Sequence, residues 1–221
     1  MPLMQRCVGE VIGTFALVFA GTGAVVIDKV YAGAVGHVGI ALTFGLVVTA
    51  MIYSFGELSG AHFNPAVTVG FACTGRFSWR EVPAYLGGQV TGALFASLLL
   101  HATFPQNADL GMTLPKVTPE LAFVWELVLT FLLMLVILQV ATGSKEQGLM
   151  AGVAIGGTVA LEALFAGPIT GASMNPARSL APALVAGHLH LLWLYIVAPV
   201  AGALLAVLAW RCMRRVESVS A

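Results

Sequence analysis

Charge is what this sequence has least of. Only 9% of its 221 residues are charged, ten Lys and Arg against ten Asp and Glu, so the formal net charge is zero. That balance gives no reason to expect a nucleic-acid partner, which calls for a basic face. Cysteine is scarce as well. Cys7, Cys73 and Cys212 stand far apart, which speaks against a disulfide framework and offers no metal-ligand spacing. Catalytic signatures are missing too: Gly-x-Ser-x-Gly, His-Glu-x-x-His and a phosphate-binding glycine loop are all absent. The sequence is that of a protein that is not an enzyme, with no cofactor and no metal.

What is present is apolar. Hydrophobic residues make up 59% of the chain and the mean hydropathy is +0.95. Six apolar runs are long enough to cross a bilayer, at about 7–27, 37–58, 82–104, 119–141, 148–167 and 189–211. Six such runs could not all be interior to one soluble core. The first run follows Arg6 but carries Glu10 and is long enough to span, so it is a retained helix rather than a cleaved leader. With an even number of spans both termini share a side. Arg6, Arg76, Arg80, Lys145, Arg211, Arg214 and Arg215 then fall together, with Lys29 and Lys116 opposite. Lys and Arg accumulate in the cytoplasm, which puts both termini there. Trp79, Trp193 and Trp210 fall near proposed span ends, as interfacial anchors do; Trp125 fits that role less well. Loops 28–36 and 105–118 read as ordinary connectors.

Two stretches between the spans are small and polar. Leu58 to Thr68 contains Asn64-Pro-Ala, and Ile169 to Ser179 contains Asn175-Pro-Ala, with the two asparagines 111 residues apart (175 − 64 = 111). Each triplet has the form of a helix start, with Asn as N-cap and Pro at the first helical position. The apolar runs that follow, Val67–Cys73 and Ser179–Ala186, are too short to span. They read as half-helices whose starts meet near the membrane midplane. The repeat extends further. Glu10-x-x-x-Thr14-Phe15 matches Glu126-x-x-x-Thr130-Phe131, and Tyr85–Leu94 matches Tyr195–Leu204. Three spans per half is an odd number, so the halves are inverted. The fold class is an all-α membrane protein of six transmembrane helices plus two re-entrant half-helices in an inverted repeat. It forms a single transmembrane channel domain over 1–221, with repeat 1 at about 1–104 and repeat 2 at about 119–215. Small-residue pairs such as Gly9/Gly13, Gly88/Gly92 and Gly152/Gly156 let helix backbones approach closely.

At membrane depth, irregular backbone survives only where protein covers it or where it lines a watery cavity. Gly60, Ala61 and His62, and likewise Gly171, Ala172 and Ser173, precede the capping asparagines. Their carbonyls offer a ladder of acceptors, while the Asn64 and Asn175 amides offer donors. A single-file lane for water or small hydroxylated molecules follows. Arg178 is a charge in apolar surroundings, so it faces a cavity or a partner, with Glu162 or loop carbonyls as the alternative partners. Facing the lane, it repels cations; the half-helix starts add about half a positive charge each. Glu10 and Glu126 are symmetric in the repeat, which favours carboxylates that hold the re-entrant loops by their N–H groups. A proton-coupled carrier using Glu10, Glu126 or Glu162 is the alternative from another class; an occluded scaffold protein is a third. His62 has no second ligand at metal spacing and reads as part of the lane.

The chain resembles the aquaporin, or major intrinsic protein, family across essentially its whole length. The motifs are Ser59-Gly-Ala-His-Phe-Asn-Pro-Ala-Val-Thr68, Ala172-Ser-Met-Asn-Pro-Ala-Arg-Ser179 and the paired Glu-x-x-x-Thr-Phe. The resemblance implies one pore per protomer and a homotetramer in the cell membrane. It also implies a selectivity filter at Phe44, Ala163, Ala172 and Arg178. Water-selective members usually carry histidine at the place of Ala163, so two alanines imply a wider filter. Ser179 and Ala183, in contrast, follow the water-channel pattern rather than that of glycerol facilitators. The stretch Ala166–Leu180 looks most like the nodulin-26-like branch and its bacterial relatives. That branch implies water with glycerol and neutral metalloid acids such as boric, silicic or arsenous acid. Phe44 is bulkier than the residue of the widest members, which counts against large metalloid acids. A pore conducting mainly water is the alternative within the family.

Overall fold

Apolar residues all round a helix, with small residues where helices cross, build a bundle without a wet face. In the computed structural model, residues 1–217 are described, with side chains as far as Met213. Nine helices occupy them: α1 (Leu3–Val30), α2 (Gly36–Ser59), α3 (Pro65–Cys73), α4 (Val82–Thr103), α5 (Pro119–Thr142), α6 (Lys145–Leu149), α7 (Ala151–Thr170), α8 (Pro176–Ala186) and α9 (Leu192–Glu217). Six of these, all but α3, α6 and α8, are long and apolar enough to cross a membrane.

The packing follows the internal repeat. α1 lies on α4 as α5 lies on α9, and α1 meets α2 as α5 meets α7. The half-helices are exchanged: α3 packs on α9 of the second half, and α8 on α4 of the first. α2 and α7 join the two halves along the centre. Backbone approach makes these contacts close. A Cβ at Gly92 would stand 2.1 Å from the Val11 carbonyl, and one at Gly202 would stand 2.2 Å from that of Leu127. Substitution there would force the helices apart.

The helix starts obey their capping residues. Asn64 Oδ1 accepts from the Ala66 N–H, and Asn175 Oδ1 from those of Ala177 and Arg178, with Pro65 and Pro176 opening the helices. Ser144 and Gln147 close a capping box on α6, a short helix that the hydropathy pattern does not announce. The fifth span is displaced, at 151–170 instead of 148–167: α6 takes Lys145–Leu149 before it, and α7 runs through Pro168. A proline inside a helix leaves one carbonyl without a donor but does not end it when another group supplies one.

Arg6 pairs with Glu81 and Arg211 donates to the Cys73 carbonyl. The start of α1, the end of α3, the start of α4 and the end of α9 therefore share one end of the bundle. Lys29 pairs with Asp109 at the other end. The Arg214 and Arg215 side chains lie outside the described residues. Trp79 and Trp193 are exposed, as anchors should be, whereas Trp210 is buried and donates its indole N–H to Thr142 Oγ1 (3.2 Å). Trp210 is thus a packing residue rather than an anchor.

Candidate functional site

The site is built where α2 and α7, each ending in a glycine, turn back. Gly60 after α2 and Gly171 after α7 are both left-handed, with φ of 83° and 89°. Ala61 and Phe63 then take φ of 50° and 48°, and Ala172 and Met174 take 42° and 53°. Such values are uncommon for residues with a Cβ, so the surroundings must hold them.

Two buried carboxylates do so. Glu10 Oε1 accepts from Ser59 Oγ (2.7 Å) and the His62 N–H (3.0 Å). Its Oε2 accepts from the Phe63 N–H (2.7 Å) and Gln89 Nε2 (2.8 Å). Glu126 repeats the pattern with Thr170 Oγ1 (2.7 Å), the Ser173 N–H (2.9 Å) and the Met174 N–H (2.9 Å). Tyr85 and Tyr195, matched in the repeat, donate to the last carbonyls of α2 and α7, those of Ser59 (2.7 Å) and Thr170 (2.6 Å). In a planar trans peptide the C=O points opposite to the N–H. With the N–H groups of residues 62, 63, 173 and 174 turned toward the carboxylates, the carbonyls of Ala61, His62, Ala172 and Ser173 point the other way.

They point into a lane of about 440 Å³. Gly60, Ala61, His62, Ala172 and Ser173 line it. Gly171 does not. It is the turn that ends α7, and a Cβ there would stand 3.0 Å from the Thr113 side chain. Midway, Asn64 and Asn175 both reach the lane. Asn64 Nδ2 donates to the Met174 carbonyl (2.7 Å) and Asn175 Nδ2 to that of Phe63 (2.9 Å). Each amide therefore spends one N–H on the opposite loop and keeps a second for the lane.

Phe44, Ala163, Ala172 and Arg178 come together on the wall of the same lane. Phe44 seats its ring against Gly21, where a Cβ would fall 2.1 Å from it. The Arg178 guanidinium lies 5.0 Å from the centre of that ring, and the residue as a whole is only 4% exposed. Its Nη1 donates to the Gly111 carbonyl (2.9 Å). Lining the lane and being tied to a loop carbonyl are thus both true of it. Glu162 is not its partner. Glu162 is 1% exposed, stands off the lane, and has no hydrogen-bond partner for either carboxyl oxygen among the described residues.

On the lane wall and just behind it the two halves differ. His62 Nδ1 lies 3.1 Å from Thr68 Oγ1, and the ring stacks 4.8 Å from that of Phe71. In the second half Ser173, Ser179 and Thr113 form a chain of hydroxyls at 2.5 and 2.8 Å. Gly111 and Thr113 belong to the 105–118 loop, which sequence reasoning passes over as a connector. The loop is instead structural: Leu110 is 1% exposed and the Lys116 N–H donates to the Ile169 carbonyl (2.9 Å). Its length, at the upper limit of ordinary connectors, was the available signal.

The sequence and the fold have counterparts among known proteins. Residues 1–210 match the family model described as "Major intrinsic protein". The chain is 50% identical over 201 residues to a putative aquaporin, NIP4-1, of Arabidopsis thaliana, covering 90% of this chain and 71% of that protein. It is 45% identical over 215 residues to nodulin-26 of Glycine max, covering 97% and 79% respectively. Among solved structures it is similar to the aquaglyceroporin from Plasmodium falciparum, with a TM-score of 0.83 at 27% identity, covering 93% of this chain and 94% of that one. The chain belongs to the major intrinsic protein, or aquaporin, family, in its nodulin-26-like branch: a membrane channel for water and small neutral solutes.

Proposed function

We propose that this channel passes glycerol as well as water, and the smaller neutral metalloid acids, through a constriction formed by Phe44, Ala163, Ala172 and Arg178. The observation that carries this reading is the pairing of two alanines with one apolar ring and one guanidinium on a single lane wall. Alanine methyls leave room for a carbon backbone, the Phe44 ring gives it an apolar surface to slide on, and Arg178 donates to the hydroxyls. The guanidinium and the two half-helix starts repel cations and protons by their positive charge. Conduction is passive, with Glu10 and Glu126 spent on backbone N–H groups instead of proton transfer. Four copies assemble as a homotetramer in the cell membrane, each with its own pore and with both termini cytoplasmic. The run of Arg6, Arg76, Arg80, Lys145 and Arg211 on one side supports that orientation.

The test is stopped-flow light scattering on proteoliposomes, with sucrose to drive shrinkage and glycerol to follow re-swelling. Fast water flux with clear re-swelling is expected. Ala163→His narrows the constriction and adds a donor, and should lower glycerol flux about tenfold relative to water, a discrimination of about 1.4 kcal/mol. Equal loss of both fluxes would remove Ala163 from the filter. Fast water flux with no glycerol entry in the unmodified channel would replace this reading by a mainly water-conducting pore. Accumulation of solute against its gradient would replace it by a carrier.

A further inference from the structure

Phe44 and Ala163 stand on different helices, α2 and α7, so the gap between them depends on how those helices are held apart. Beside Phe44, and beyond it toward the end of α2, the pair is pinned by close backbone approach and by a hydroxyl. A Cβ at Gly45 would stand 2.5 Å from the Gly156 carbonyl, and Thr49 Oγ1 donates to the Gly152 carbonyl (3.2 Å). On the other side of Phe44, toward the start of α2, the tie between the two helices is again a side chain.

Pro168 lies inside α7 and has no N–H. The carbonyl four residues before it, that of Leu164, therefore loses its helical donor. An orphaned carbonyl within a membrane-crossing helix is costly. His37, in the first turn of α2, fills the vacancy: its Nε2 lies 2.6 Å from the Leu164 oxygen. A carbonyl can only accept, so Nε2 carries the proton. Gly167 makes room for the ring, since a Cβ there would stand 3.0 Å from His37 Cε1. Three residues thus cooperate: one frees the acceptor, one clears the space and one donates. The acceptor is the neighbour of Ala163, and the donor lies two turns, roughly 10 Å, along α2 from Phe44.

We infer that His37 is a specificity-determining positioning residue, a strut between the Phe44-bearing and Ala163-bearing helices that sets the width of the constriction and so the largest neutral solute admitted. This rests on the filter assignment above. Without the strut, the end of α7 keeps its ties to Lys116, Glu126 and Tyr195 but loses this one to the start of α2; the gap between the two helices then widens on that side, and longer polyols gain more than water does.

The experiment compares water, glycerol and erythritol permeability of proteoliposomes, normalised to reconstituted protein. The channels are unmodified protein, His37→Ala, His37→Gln, Pro168→Ala, the His37→Ala/Pro168→Ala double variant and Ala163→His. His37→Ala should raise the erythritol-to-water ratio about threefold or more, a modest share of what one carbon unit discriminates in a tight pocket. His37→Gln, whose amide nitrogen can take the place of Nε2, should keep the original ratio. Pro168→Ala returns the helical N–H to Leu164, so His37→Ala on that background should change nothing further. If His37→Ala does not fold, His37→Met, which fills the space without a donor, takes its place. Unchanged solute ratios in His37→Ala, or an equal shift on the Pro168→Ala background, would overturn the strut. If Ala163→His alters selectivity while His37→Ala does not, the strut alone fails. If Ala163→His has no effect, the filter assignment fails and the strut falls with it.

Discussion

The two re-entrant segments, 59–73 and 170–186, have nearly the same backbone and different chemistry. Both leave a helix through a left-handed glycine, both turn two N–H groups toward a buried glutamate, and both are locked by a tyrosine on the last helical carbonyl. Yet at equivalent places in the repeat the first offers His62, Val67 and Thr68 where the second offers Ser173, Arg178 and Ser179. Val67 and Arg178 both reach the lane. A duplicated scaffold supplies the path, and single substitutions on it make one end selective. The supports differ as well. Gln89 gives Glu10 a fourth donor, while the matching position in α9 is Pro199, which has no side-chain donor to give Glu126.

That difference can be broken from either side. The largest effect is expected from the carboxylates. Glu10→Ala strips acceptors from two backbone N–H groups and two side chains, and Glu126→Ala from two N–H groups and one side chain. Each buried donor left unsatisfied costs about 1–3 kcal/mol, so both variants should lose folded protein. Glu10→Ala should fall further in detergent thermal unfolding; a milder loss than in Glu126→Ala would remove Gln89 from the account. Next comes the exchange of the lane residues. Arg178→Val makes the second half like the first and should admit cations, read as ion conductance in a planar bilayer. Val67→Arg places a second guanidinium in the narrow lane and should cut water flux about tenfold or more, about 1.4 kcal/mol of barrier. If Val67→Arg conducts normally, the lane is wider at that level than its lining implies. The smallest effect belongs to His62→Ser, which gives the first half the hydroxyl of the second. Losing the packed ring should lower stability by about 1–3 kcal/mol, with water flux changed little. A large flux change would make His62 a gatekeeper instead of a wall.

The sequence alone determined the elements that are encoded locally. Length and hydropathy placed six spans, since crossing a bilayer demands a run of apolar residues wherever it occurs. Asn-Pro marked both half-helix starts because capping is decided by a few adjacent residues, and a repeat of three spans, an odd number, implied the inversion. The symmetric glutamates were legible for the same reason. Only the tertiary structure decided which distant groups meet. It brought the Gly111 carbonyl to Arg178 and Thr113 to Ser179, from a loop that carries no motif. It buried Trp210 where its position near a span end pointed to the interface. It also carried α7 past Pro168, because the donor that replaces the lost N–H comes from His37, 127 residues away in the chain. Local propensity has no knowledge of a partner on another helix, and hydrogen bonds of that kind are formed only when the bundle closes.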